Sequence, residues 1–105
     1  MKGPASRVTS AKMVSARAKR LRRLYRALLS LNTEAECASF LRDLCTVAEL
    51  DALAERLAIA ELLQDDASYR DIGDTVGAST TTVTRVAHWL HHGMGGYRTV
   101  LSRIK

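Results

Sequence analysis

The chain has 105 residues, enough for one domain with a modest core. Its hydrophobic share is 47%, its aromatic share 5%, it holds one proline, and its net charge is +5: an all-helical composition on the basic side of neutral. No run of ~20 apolar residues exists, so no membrane span is expected, and the basic N-terminus lacks the apolar segment of a secretory signal.

Met1 to about Ser10 has no apolar periodicity and contains Gly, Pro and Ser. Residues 1–10 are therefore expected to form a disordered basic arm, with one helical domain over 11–105. From about Ala11 a helix begins. Leu21, Leu24, Tyr25, Leu28 and Leu31 recur at helical spacing, while Arg20, Arg22, Arg23 and Arg26 mostly decorate the other side. Asn32 and Thr33 interrupt it. Thr33 caps a second helix, with Glu34 and Glu36 in the first turn, where the helix dipole favours negative charge. Its apolar positions are Cys37, Phe40, Leu41 and Leu44. Thr46 and Glu49 read as T-x-x-E, a capping box that opens a third helix running to about Gln64. Leu50, Leu53, Leu57, Ile59, Ala60, Leu62 and Leu63 cover more than one stripe of it. Such a helix needs cover on several sides, from the other helices or from a second subunit.

The stretch Ser68 to His92, SYRDIGDTVGASTTTVTRVAHWLHH, predicts two short helices joined by a tight turn. Ser68 caps the first, and Asp71 stands three residues on, as in a capping box. Ile72 and Val76 share a face. Gly77 follows at the position where a helix ends in a left-handed residue. Gly73 lets two helix backbones approach closely, as a helix-turn-helix requires. Ser79 caps the second helix, about Thr80 to Leu90, which buries Val83, Val86 and Leu90. Its outer face carries Thr80, Thr81, Thr82, Thr84, Arg85 and His88. Threonine is a mediocre helix former, so propensity does not account for four of them; short hydroxyls and one Arg suit a surface that meets phosphates and base edges. Thr80 and Thr81 are placed to reach bases, Thr82 and Thr84 to reach phosphates, and Ser79 to offer a helix N-terminus to an anion. Arg85 suits a guanine or a phosphate. Tyr69 and Arg70 are expected to touch the backbone, with Ser68 beside them; local solvation is the bland alternative for each. After His92, Gly93-Met94-Gly95-Gly96 breaks the chain, and Tyr97, Val100, Leu101 and Ile104 mark a last short helix.

Charge is unevenly spread. Lys2, Arg7, Lys12, Arg17, Lys19, Arg20, Arg22, Arg23 and Arg26 precede the first acid, Glu34; the remaining seven basic residues share the chain with eleven acids. A basic front beside a helix-turn-helix suggests phosphate contact and salt-sensitive affinity. His88, His91 and His92 face one another at helical spacing, but without a Cys or carboxylate at ligand spacing they suit the dipole of a helix C-terminus better than a metal. Cys37 and Cys45 read as core thiols of a reduced, cytoplasmic protein. There is no Gly-rich phosphate loop, no H-E-x-x-H and no nucleophile elbow, so neither an enzyme nor a bound cofactor is expected.

FLRDLCTVAELDALAERLAIAELL, then SYRDIG, then GASTTTVTRVAHWL, then GGY resemble the Trp-repressor superfamily, in particular its bacterial YerC/YecD-like branch, over about Leu24 to Lys105. The resemblance implies a six-helix all-α protomer and an intertwined homodimer that presents two copies of the second helix to successive major grooves, ~34 Å apart. In the trp repressor L-tryptophan lies between two arginines. Arg85 is similar to one; the other position falls at Glu55, next to Arg56, and Trp89 replaces a small serine of that pocket. This argues against a tryptophan corepressor, with Trp89 or its neighbours expected to fill the space. The expectation is a sequence-specific double-stranded DNA-binding regulator, a repressor. The alternatives are a protein-interaction or dimerisation module on the same scaffold, and a nonspecific nucleic-acid-binding protein.

Overall fold

The structure is a computed structural model that describes the backbone of residues 2–104 and the side chains of residues 10–104. Among the described residues there are six helices and no strand: α1 (Lys2–Leu29), α2 (Glu34–Leu44), α3 (Val47–Gln64), α4 (Tyr69–Val76), α5 (Thr80–His92) and α6 (Gly96–Arg103). The all-α, six-helix expectation is met. The chain forms two compact units, Met1–Leu44 and Cys45–Lys105.

The first unit holds α1 and α2. The backbone of α1 is helical from Lys2, where the sequence places a disordered arm over residues 1–10 and a helix start near Ala11. Pro4 falls in the first turn, where its missing N–H forfeits no intrahelical bond. Met1 lies outside the described residues, as do the side chains of residues 2–9. Along α1, Leu21, Leu24 and Ala27 are half-buried, whereas Tyr25, Leu28 and Leu29 are exposed. Thr33 caps α2 as its sequence implies: its hydroxyl accepts from the Glu36 N–H at 3.1 Å, and the Glu36 carboxylate reaches back to the Asn32 N–H at 2.8 Å.

The second unit holds α3 to α6 around one core. Ile59 and Ala60 of α3, Ile72 of α4, and Val83 and Val86 of α5 meet there, with Leu62, Leu63, Ala67, Val76, Ala78, Tyr97 and Leu101 against them. Ile59, Ile72, Val83 and Val86 are fully buried, and each such side chain contributes about 1.5–3 kcal/mol. The Thr46 capping box is complete. The Thr46 hydroxyl accepts from the Glu49 N–H at 3.1 Å, and the Glu49 carboxylate accepts from the Thr46 N–H at 2.8 Å. Donation from the Thr46 backbone, then from its side chain, holds the Glu49 carboxyl below its usual range. Of the over-apolar α3 the unit buries fully only Ile59 and Ala60, and Val47 and Leu53 stay exposed. No described helix is long and apolar enough to cross a membrane.

Candidate nucleic-acid interface

The α4–turn–α5 segment is assembled by its own polar residues. The Ser68 hydroxyl accepts from the Asp71 N–H at 3.1 Å and starts α4. Gly77 ends it with φ 77° and ψ 18°, the left-handed conformation that only Gly takes without steric cost, and its N–H donates to the Gly73 carbonyl at 2.8 Å. A Cβ on Gly73 would lie 3.2 Å from the Ala78 carbonyl oxygen, so the missing side chain is what lets the turn close over α4. Ser79 then caps α5, accepting from the Thr82 N–H at 3.2 Å. Ile72, Val83, Val86 and Leu90 anchor both helices in the core, which fixes the rotation of α5 about its axis.

That rotation decides what α5 shows. Thr80, Thr81, Thr84, Arg85 and His88 are exposed and run along one side of the helix. Thr82 departs from the outer face expected of it. It is half-buried, its hydroxyl sits 3.1 Å from Ser79 Oγ, and it lines a cleft on the inner side. Ser79 is exposed, but its oxygen serves the cap. Ser68, Tyr69 and Arg70 are exposed together at the start of α4. The surface available to a partner is therefore Thr80, Thr81, Thr84, Arg85 and His88 on α5, flanked by the first turn of α4. His88 packs its ring edge against Trp89, with centroids 5.1 Å apart, and lies 5.3 Å from the ring of His92.

The inner cleft, of about 430 Å³, is lined by Ala52, Glu55 and Arg56 of α3, by Thr82, Arg85, Val86 and Trp89 of α5, and by Tyr97 of α6. Trp89 borders this space and does not fill it, contrary to the sequence expectation. Its neighbours on α5, Val86 and Leu90, take the buried side of the helix, which leaves the indole at the rim, 59% exposed. Thr82 and Tyr97 are lining residues that sequence reasoning missed. The spacing 82-85-86-89, matched by 52-55-56 on α3, is the signal that could have found Thr82. Arg98 was missed too: its Nε donates to the Leu90 carbonyl at 3.3 Å and ties α6 to the last turns of α5.

The chain is 40% identical over 89 residues to the uncharacterized protein YerC of Bacillus subtilis (strain 168), covering 85% of this chain and 86% of that protein. Its fold is similar to the crystal structure of a TrpR-like protein from Eubacterium eligens, with a TM-score of 0.78 and 36% identity over 81% of this chain and 88% of the other. The family model described as Trp repressor protein matches residues 19–105, and the chain belongs to that family.

Proposed function

We propose that the protein is a sequence-specific double-stranded DNA-binding transcriptional regulator, a repressor that acts as a homodimer in the cytoplasm. The observation that carries this reading is the exposed row Thr80, Thr81, Thr84, Arg85 and His88 at the N-terminal and middle turns of α5, on a helix whose rotation the buried Val83 and Val86 fix. The second helix of such a motif enters the major groove with its N-terminal residues on base edges. Thr80 and Thr81 occupy that position, Arg85 stands one turn on, and Ser68, Tyr69 and Arg70 flank them for the phosphates. Repression would be steric, by occupancy of a promoter. A homodimer is supported by apolar surface that the protomer leaves open, Leu29 at 84% exposure and Val47 and Leu53 among it. L-Tryptophan has no assigned role in this mechanism, because the Glu55 carboxylate lines the cleft beside Arg56 and Arg85.

Selection of bound sequences from a random duplex library tests the proposal. A common palindromic site that survives competition by random duplex is expected. Arg85→Ala should weaken binding to it by ~1–3 kcal/mol, and relax preference at one base pair if Arg85 reads guanine. Recovery of no preferred sequence would refute sequence-specific regulation. Unchanged affinity in Arg85→Ala would remove that residue from the interface, and tight stoichiometric binding of L-tryptophan in calorimetry would restore the corepressor.

A further inference from the structure

We infer that α1 carries a second duplex-backbone site, separate from the helix-turn-helix and built from Lys19, Arg22, Arg23 and Arg26. The inference rests on the DNA-binding reading for its partner but uses a different unit of the chain. The side chains of these four residues lie together on one face of α1, and all four are exposed. At roughly 100° per residue they fall within an arc of about 100° on α1. The half-buried Leu21 and Leu24 lie on the opposite side of the helix. Whatever covers the apolar side of α1, the four cations face away from it.

α1 itself contains no carboxylate. The first acid of the chain is Glu34, beyond the end of α1, so none lies within a helical turn of any of the four. Lys19–Arg23 and Arg22–Arg26 are like-charged i, i+4 pairs, and Lys19–Arg22 and Arg23–Arg26 are i, i+3 pairs. Each weakens the helix unless an anion sits between them. Their Cα atoms rise through about 10.5 Å of helix axis. Along its axis one strand of B-form duplex sets a phosphate every ~3.4 Å. Three of the four are arginines, whose planar fork matches phosphate oxygens in pairs. A row of fixed phosphates is a partner whose repeated negative charge this face complements, and it carries no base information. The site therefore adds affinity and leaves sequence choice to α5.

The test uses the full chain, with all four residues changed to Gln (K19Q/R22Q/R23Q/R26Q) and, as a control on the same helix, K12Q/R17Q. Helical content of each variant is checked by circular dichroism. Binding to a random-sequence duplex is measured across a salt series. Losing four phosphate contacts should lower the slope of log K against log salt by roughly 3 to 4 per bound protomer, about twice that for a bound dimer. The control should change it less, and preference for a selected site over random duplex should persist in the quadruple variant. An unchanged slope overturns the inference, even if the selected site is still bound and the proposed function stands. If the wild type binds random duplex through this face but selects no sequence, the inference stands and the specific-regulator reading falls. Absence of any duplex binding sinks both. Tighter, stripe-dependent binding to single-stranded RNA, or a change in oligomeric state in place of the lost slope, would assign the face to another partner and also overturn it.

Discussion

Gly77→Ala isolates the conformational requirement of the turn between α4 and α5. Gly77 sits at φ 77°, and a Cβ added there would meet nothing within 4 Å, so the substitution creates no clash. Its cost is the local strain of a left-handed L-residue, ~1–2 kcal/mol. The neighbouring glycines bracket it. Gly73 is helical, and its added Cβ would lie 3.2 Å from the Ala78 carbonyl oxygen. That crowding opposes the ~1 kcal/mol that Ala gains over Gly inside a helix, leaving Gly73→Ala near neutral. At Gly93 an added Cβ would lie only 2.3 Å from the Trp89 carbonyl oxygen, the acceptor of the bond that ends α5, so the backbone must move. The expected order of damage is Gly93→Ala, then Gly77→Ala, then Gly73→Ala. Urea unfolding reads it, at one fixed protein concentration, because dimerisation would make stability concentration-dependent. With m of ~2 kcal/mol/M for a small protein, Gly77→Ala should lower the midpoint by roughly 0.5–1 M. Gly77→Asn should lose less, since Asn visits the left-handed region more readily. A Gly77→Ala midpoint equal to wild type, or an Asn variant worse than the Ala variant, would refute the reasoning.

The other expectations concern pH, the core and assembly. The Glu49 carboxyl is held low by the Thr46 N–H, so the contribution of the capping box to stability is full above the ordinary value of 4.5 and is lost as pH falls through the lower folded value. Glu49→Gln should therefore flatten the acid limb of a stability–pH profile, and an unchanged limb would count against the box. Val83→Ala opens a void at a fully buried site and should cost about 2 kcal/mol in the same urea assay. Leu57→Asp should abolish dimerisation and folding together; a well-folded monomer by sedimentation would contradict the intertwined assembly.

The elements legible in the sequence are those decided within one turn of chain. Thr33, the Thr46–Glu49 pair, Ser68, Ser79 and Gly77 each satisfy or terminate a helix through neighbours three or four residues away, and each was readable where the structure places it. Residues whose role depends on a distant element were not. Thr82 lies on the border between the buried and outer sides of α5, one position before the core residue Val83. Only the placement of α3, with Ala52, Glu55 and Arg56, turns it towards the cleft. GMGG offers three glycines for one left-handed start to α6, and the structure uses Gly95, at φ 82°. Trp89 read as a cavity filler because its size was legible and its tilt was not.

The excess apolar surface of the chain and its proposed reading of DNA bear on each other. After the second unit has formed its core, Val47 and Leu53 of α3 remain exposed, and on α1 Tyr25, Leu28 and Leu29 do as well. Apolar side chains left open within each unit suit contact with a further protein surface. A helix-turn-helix also reads few bases alone, since three or four side chains of one helix reach base edges. On α5 those would be drawn from the exposed Thr80, Thr81, Thr84, Arg85 and His88, with Thr82 turned inward. One protomer would thus specify too short a sequence to stand out among nonspecific sites. A second copy, as proposed, would answer both shortfalls, because a two-fold pairing would cover exposed apolar residues of each protomer and double the bases read. On this argument a variant that stays folded but cannot pair should keep salt-sensitive affinity for random duplex and lose its preference for the selected site. Retention of that preference by a monomer would break the link between assembly and recognition.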